Sequence, residues 1–192
     1  RVVPLGYEPA LLPVAPWTER RPYVLYVGNH RPHKNLATLV EAWNGLPDDV
    51  DVDLALTGDD DLGAVARTSS RSVRFLGDLS AQETAGAIRG AVALVQPSLA
   101  EGFGLPVLEA LVRRVPVIAA EDAFPGMLAP FVARFSPREV AALRSLLEDT
   151  IRRPQHLRAR AAEGEAFARA YTWDRFAETV ASVYRDAQGD GS

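Results

Sequence analysis

The stretch from residue 91 to residue 112 constrains the fold of this chain more than any other. Residues 91–95 form a short apolar run that ends before Pro97, a pattern that predicts a buried strand. A glycine-containing turn follows, and Pro106 suits the first turn of a helix, where its missing N–H is not needed. A strand, a glycine turn and a helix N-terminus in this order predict an α/β unit that can bind an anion at the turn.

The turn has two properties that suit a ligand. The backbone N–H groups of Phe103, Gly104 and Leu105 precede the helix or begin it, so they lack helical partners and lie at the positive end of the helix dipole. Gly102 and Gly104 let a ligand approach the backbone closely, because neither residue carries a Cβ atom. The turn is therefore a candidate binding segment.

Two carboxylates frame this turn, Glu101 before the helix and Glu109 inside it. Acidic residues near a helix start are often only partners of the helix dipole, so shape alone leaves their role open. The segment E-G-F-G-L-P-V-L-E-A resembles the E-x7-E signature of the retaining, GT-B-fold glycosyltransferases of family 4. This resemblance implies that Glu101 contacts the donor sugar and that Glu109 binds the ribose hydroxyls of the nucleotide. It also implies that the backbone amides between them meet the sugar and the diphosphate.

A second strand–loop–helix unit lies earlier in the chain. Residues 23–27 are continuously apolar, Gly28 ends this predicted strand, and a helix with an apolar stripe begins near Asn35. The loop between them, N-H-R-P-H-K-N, carries Arg31, His33 and Lys34, a cluster that by itself is more typical of a solvated surface turn.

The segment G-N-H-R-P-H-K-N, which starts at Gly28, resembles the G-x(n)-K-N loop of the same family, and this implies that Lys34 binds the donor diphosphate. We assign Arg31 as its helper, although some family members carry the arginine directly before the lysine, where this chain has His33. A guanidinium can hold two phosphate oxygens at once, whereas an ammonium acts as a point charge.

A third candidate segment follows the strand predicted at residues 73–76. Ser80 and Glu83 form a predicted capping box for the next helix. The preceding F-L-G resembles the family segment whose backbone meets the nucleotide base, which implies that Asp78 and Leu79 belong to the base pocket. A plain strand-to-helix turn is the alternative interpretation.

The chain also contains two acidic runs, D-V-D at residues 51–53 and D-D-D at residues 59–61. Either could suggest a metal-binding D-x-D motif. We reject that interpretation, because Asp51 precedes its predicted strand and lies away from the ligand edge, and the second run suits turn and helix-cap chemistry. No metal site and no cofactor are expected.

These patterns predict the α/β fold class, with a Rossmann-like parallel sheet, helices on both faces and the architecture of one half of a GT-B fold. Further strands are predicted at residues 52–56, 115–119 and 131–135, and late helices begin at Ser136, Pro154 and Thr172. In the first of these helices Ser136 is the predicted N-cap, with Glu139 completing a capping box. Residues 120–135 resemble a shortened form of a longer family loop.

We predict three regions: an interdomain linker at 1–22, a nucleotide-sugar-binding domain at 23–171, and a C-terminal crossover helix with its tail at 172–192. The chain begins at Arg1 with a segment that resembles the exit from the family's N-terminal domain. We therefore expect a missing N-terminal, acceptor-binding domain as partner, and any peripheral membrane contact would come through that half.

Composition narrows the function further. The net charge of −4 argues against a nucleic-acid binder that works through a general basic surface. With no cysteine, disulfides and thiolate metal sites are excluded. No apolar run approaches the ~18 residues of a membrane span, and we expect a cytoplasmic protein.

The resemblance as a whole implies metal-independent, retaining transfer of a sugar from a nucleoside-diphosphate sugar to an acceptor hydroxyl. The main alternative is a non-catalytic nucleotide-sugar-binding module or a subunit of a split transferase. A GT-B phosphorylase would need a lysine for pyridoxal phosphate, yet Lys34 is the only lysine and already belongs to the diphosphate loop. An epimerase acting on nucleotide sugars is a further alternative on the same fold.

Overall fold

The computed structural model describes residues 3–19, 21–58 and 68–189. Within these ranges six strands form one sheet, in which all neighbours are parallel and the order is β3-β2-β1-β4-β5-β6. The strands are β1 (Tyr23–Tyr26), β2 (Asp53–Leu56), β3 (Val73–Phe75), β4 (Ala93–Gln96), β5 (Val117–Ala120) and β6 (Ala133–Phe135).

Six α-helices accompany the sheet in the same part of the chain: α1 (Leu36–Asn44), α2 (Ala81–Gly90), α3 (Leu105–Leu111), α4 (Val140–Arg152), α5 (Gln155–Ala168) and α6 (Trp173–Gly189). The strand order reverses between β1 and β4, and parallel crossovers are right-handed, so the helices cover both faces of the sheet. This confirms the predicted α/β, Rossmann-like fold.

Burial explains why the central segments are strands. Every residue of β1, β2, β4 and β5 is buried, as expected for parallel strands covered by helices on both sides. Helix α1 buries the predicted apolar stripe in the hydrophobic core and packs against α4. The stripe consists of Leu36, Leu39, Val40 and Trp43.

The capping box at the start of α2 is confirmed. The Glu83 N–H donates to Ser80 Oγ at 3.3 Å, and the Ser80 N–H donates to Glu83 Oε2 at 2.8 Å. The two residues thus satisfy backbone donors at the helix start that would otherwise lack partners.

The predicted start of α4 is wrong. The helix begins at Val140 rather than after Ser136, and no side chain caps it. Residues 136–139 instead form a turn, in which the Glu139 N–H donates to the Ser136 carbonyl at 2.9 Å. The Pro137 carbonyl accepts from Asn35 Nδ2 at 2.8 Å. This turn therefore contacts the loop after β1, which is distant in sequence.

The early segment of the chain contacts the residues where α6 begins. Tyr7 donates its N–H to the Tyr171 carbonyl at 2.9 Å and accepts from the Trp173 N–H at 3.3 Å. Arg89 also holds the early segment, since its Nη1 donates to the carbonyls of Leu12 and Val14. The domain limits proposed from the sequence stay predictions. Within the described ranges, no helix is long and apolar enough to cross a membrane.

Candidate functional site

The candidate site lies where the strand order reverses, at the carboxyl ends of β1 and β4. The loop after β1 contains a short 3₁₀ helix (Pro32–Lys34), and the loop after β4 leads from Pro97 to the start of α3. In open α/β sheets ligands bind in the crevice at this point, because the two loops diverge from neighbouring strands.

Backbone and amide contacts tie the two loops together. Asn35, which adopts a left-handed conformation with φ of 56°, donates from Nδ2 to the Pro97 carbonyl at 3.1 Å. The Leu99 N–H donates to the His33 carbonyl at 2.8 Å. The relative position of the two loops is therefore set before any ligand binds.

Lys34 and Glu101 form an ion pair across this junction. Lys34 Nζ lies 2.6 Å from Glu101 Oε1, and the two side chains are only 12% and 13% exposed. The same oxygen accepts from Ser98 Oγ at 2.7 Å and from Gln96 Nε2 at 3.0 Å. The structure thus brings together two residues predicted for the site, and adds two that the sequence analysis did not select.

The surroundings of Glu101 keep it ionised. Burial by itself raises the pKa of this carboxyl, but hydrogen bonds from Lys34, Ser98 and Gln96 outweigh it, and the pKa lies below its ordinary value. A carboxylate in such a setting serves as a hydrogen-bond acceptor or as a negative charge, and not as a proton donor at neutral pH.

The turn between Glu101 and α3 has backbone N–H groups without protein partners in the described part of the chain, as its sequence predicts. Gly104 precedes the helix with φ of 71°. The hydrogen bonds of the described residues include none donated by the N–H groups of Phe103, Gly104 or Leu105. These donors are free to meet a ligand, although their assignment to the sugar and diphosphate stays a prediction.

Glu109 lies in α3 in a more apolar setting than Glu101. Burial raises the pKa of its carboxyl above the ordinary value, and the nearby positive charge of Arg113 opposes this shift. Arg113 donates from Nη1 to the Glu109 carbonyl at 2.8 Å and from Nη2 to the Leu11 carbonyl at 3.2 Å. No described residue donates a hydrogen bond to the Glu109 carboxylate, which leaves its oxygens to a ligand.

Arg113 was not among the residues predicted for the site. An arginine four residues after an acid on the same helix face was the available signal, because residues at that spacing are neighbours.

The side chains of the other predicted residues make no hydrogen bond or ion pair with the side chains of Lys34 and Glu101, although the Lys34 N–H donates to the Arg31 carbonyl at 2.9 Å. Arg31 is exposed, and none of the described residues pairs with its guanidinium. The Gly28 N–H donates to Thr57 Oγ1 at 2.9 Å, at the end of β1. Asp78 is exposed and Leu79 half-buried, beside the end of β3. Their roles in binding phosphate and base stay predictions.

His30 braces the loop after β1. Its Nε2 lies 2.9 Å from the Thr57 carbonyl, and since a carbonyl only accepts, this nitrogen carries the proton. The ring also packs near Phe75, with centroids 6.0 Å apart. These contacts hold the loop against the neighbouring strands.

The carboxylates of the acidic run near β2 lie beside arginine side chains. Asp51 pairs with Arg21, and Asp53 lies 3.4 Å from Arg21 Nε and 3.8 Å from Arg74 Nη1. The second run, residues 59–61, lies outside the described residues. In the part of the chain that the structure describes, no three histidine, aspartate or glutamate side chains are grouped to hold a metal ion.

Comparison with known proteins identifies the family. Residues 10–164 match the family model described as glycosyl transferases group 1. The chain belongs to this family. Among curated relatives, it is 31% identical over 98% of its length to a phosphatidyl-myo-inositol mannosyltransferase of Mycolicibacterium smegmatis, covering 52% of that protein. It is 27% identical over 85% of its length to O-antigen chain mannosyltransferase B of Escherichia coli, covering 45% of it.

Solved structures share the fold. Sucrose-phosphate synthase from Thermosynechococcus elongatus matches the whole chain with a TM-score of 0.83 and 24% identity, over 53% of its own length. Anabaena HepE, solved in complex with UDP and glucose, matches 94% of the chain with a TM-score of 0.79 and 17% identity, over 55% of its own length. The chain thus spans about half the length of these curated relatives and of these structural neighbours.

The two glycines of the turn provide a test of its geometry. A Cβ atom on Gly104 would lie 2.8 Å from the Ala123 carbonyl oxygen, and its φ of 71° disfavours any other residue. We expect Gly104→Ala to lower the free energy of unfolding by about 2 kcal/mol or more, measured by urea denaturation.

Gly102→Ala is the matched control, because a Cβ there has nothing within 4 Å. It should change the free energy of unfolding by no more than about 0.5 kcal/mol. Equal destabilisation by both variants would contradict the described conformation of the turn.

Proposed function

We propose that this chain is the donor-binding half of a retaining glycosyltransferase. The whole enzyme would move a sugar from a nucleoside-diphosphate sugar to an acceptor hydroxyl without a metal ion. The observation that carries the proposal is the ion pair between Lys34 and Glu101, because it joins the two loops that family resemblance assigns to diphosphate and sugar.

The positive groups of the site suit a departing diphosphate. Negative charge grows on that group in the transition state of glycosyl transfer, and fixed positive charge stabilises it. In our proposal Lys34 meets the diphosphate directly, Arg31 turns its exposed guanidinium toward it, and the free N–H groups of Phe103, Gly104 and Leu105 add hydrogen bonds. Gly28 and Gly102 allow the close approach of the donor to the backbone.

The two acids have separate roles in this proposal. Glu101, which is kept ionised by its three donors, accepts a hydrogen bond from the sugar. Glu109 accepts from the ribose hydroxyls, and its partly buried setting strengthens such bonds because the local dielectric constant is lower than that of water. Asp78 and Leu79 follow the end of β3, where we propose that the nucleotide base is held.

The comparisons support a transferase assignment of this kind. The two curated relatives named above are mannosyltransferases, and HepE was solved with UDP and glucose. We propose a nucleoside-diphosphate hexose as donor. Because the chain spans about half of these proteins, we propose that the acceptor is held by a second domain.

The half-length match also favours one other function, a non-catalytic module that binds a nucleotide sugar within a split assembly. Donor binding is common to both proposals. They differ in whether sugar transfer appears once an acceptor-binding half is supplied.

Replacing Glu109 with Gln tests the ribose contact. We expect the affinity for nucleoside diphosphate to fall by ~10-fold or more, because charge-assisted hydrogen bonds contribute roughly 1.5–3 kcal/mol. Free pyrophosphate has no ribose, so its affinity should stay within about twofold. Calorimetric titration measures both, and equal losses for the two ligands would remove Glu109 from the ribose site.

Replacing Lys34 with Ala tests the diphosphate contact. The affinity for nucleoside diphosphate should fall by ~10-fold or more, while nucleoside monophosphate, which lacks the β-phosphate, should lose far less. The matched control is Arg185→Ala, which removes one exposed positive charge from α6. EDTA should leave wild-type binding unchanged, and recovery of lost binding by Mg²⁺ or Mn²⁺ would refute metal independence.

Sugar transfer by the chain alone tests the half-enzyme proposal. The chain alone should bind the donor but transfer no sugar at ordinary rates, because orientation of two substrates accounts for about 7–11 kcal/mol of the barrier. Purified chain is incubated with its preferred nucleotide sugar and a range of acceptors, with a full-length relative as positive control.

Transfer at ~1 s⁻¹ or faster would refute the half-enzyme proposal. If the acceptor half of a full-length relative is fused to the chain and donor binding persists without transfer, the non-catalytic module becomes the better proposal.

A further inference from the structure

The two oxygens of the Glu101 carboxylate differ in their hydrogen bonds. Three donors converge on Oε1: Lys34 Nζ at 2.6 Å, Ser98 Oγ at 2.7 Å and Gln96 Nε2 at 3.0 Å. No described residue donates to Oε2, and that oxygen is absent from the buried polar atoms that lack partners, so solvent reaches it. One oxygen is therefore held by the protein, and the other faces outward.

Two of the three donors lie inside the protein. Ser98 is 0% exposed and Gln96 is 1% exposed, so neither side chain reaches a ligand without rearrangement. Lys34 differs from them, because the proposed function requires it to meet the diphosphate. The hydrogen bonds from Ser98 and Gln96 do not involve Lys34, so they would hold Glu101 even if Lys34 left it for the diphosphate.

Gln96 is not explained by stability of the sheet. The rest of β4 is Ala93, Leu94 and Val95, all buried, and Gln96 is the one polar residue of the strand. Its Oε1 is buried with no hydrogen-bond partner. An unpaired buried carbonyl is destabilising, and an apolar side chain of the same shape would avoid this. The contact with Glu101 fixes the orientation of the Gln96 amide, because the opposite orientation would place the amide oxygen against Glu101 Oε1.

We propose that Ser98 and Gln96 are positioning residues of the donor site. They hold Glu101 with Oε1 turned inward, and this leaves Oε2 to accept a hydrogen bond from a hydroxyl group of the donor sugar. The inference rests on the proposed function, because it takes Glu101 as the residue that contacts the sugar. It adds that sugar recognition depends on the buried donors Ser98 and Gln96, which do not contact the sugar themselves.

The experiment compares a nucleotide sugar with the nucleotide that lacks the sugar. A thermal-shift panel of UDP, GDP, ADP and dTDP first selects the nucleotide, and UDP-glucose, GDP-mannose or the corresponding glucose derivative is then used. Calorimetry gives the affinities of Ser98→Ala and Gln96→Leu for both ligands. We expect each variant to lose ~5-fold or more for the nucleotide sugar and less than twofold for the free nucleotide.

Thr150→Val is the matched control. It removes a hydroxyl that is equally buried, at 1% exposure, but donates to the Leu146 carbonyl within α4. This control should leave the ratio of the two affinities unchanged, because a general effect of losing a buried hydroxyl acts on both ligands alike.

A pH profile gives a second readout that a purely structural role would not move. Ser98 and Gln96 help to hold the pKa of Glu101 below its ordinary value, so removing either donor raises that pKa. As the pH is lowered, Glu101 should become protonated at a higher pH in the variants than in the wild type. The preference for nucleotide sugar over free nucleotide should therefore be lost earlier in that titration. If Gln96→Leu does not fold, Ser98→Ala alone decides, since it removes only one oxygen.

Glu101→Gln separates the two ways of failing. If it leaves the ratio of affinities unchanged, Glu101 does not contact the sugar and that part of the proposed function falls. If Glu101→Gln lowers the ratio while Ser98→Ala and Gln96→Leu do not, the positioning inference alone is overturned. Equal losses for both ligands in the two variants would overturn it as well.

Discussion

The candidate site depends on the ion pair between Lys34 and Glu101, which are 67 residues apart in sequence and 2.6 Å apart in the fold. A partly buried ion pair is costly to desolvate, and it is tolerated when further hydrogen bonds satisfy its polar atoms. Ser98 and Gln96 supply those bonds to Glu101. Because Asn35 also ties the loop after β1 to Pro97, the two loops form a preorganised edge at the point where the strand order reverses.

The two acids of the E-x7-E segment differ in their surroundings, although only seven residues separate them. Hydrogen bonds from Lys34, Ser98 and Gln96 outweigh burial and lower the pKa of Glu101. Burial dominates at Glu109 and raises its pKa, with partial opposition from Arg113. Environment, and not residue type, therefore sets the charge behaviour of each carboxyl. This difference is consistent with the separate roles that we propose for the two groups.

The same structure links the candidate site to the early segment of the chain and to the start of α6. Arg113 contacts both the Glu109 carbonyl and the Leu11 carbonyl, so the helix that carries Glu109 is joined to the early segment. That segment in turn pairs through Tyr7 with the residues around Thr172, where α6 begins. The early segment and the start of the last helix therefore lie side by side.

Local sequence determined the features that depend on neighbouring residues. The buried strands, the apolar stripe of α1, the capping box of Ser80 and Glu83 and the glycine turn before α3 all follow from short-range patterns. Family resemblance selected Lys34 and Glu101, but it did not indicate that they touch. Tertiary structure alone decided that contact, the late start of α4, and the inclusion of Gln96 in β4 through its pairing with Ala119. Each of these depends on atoms far apart in the chain, whose approach no local pattern encodes.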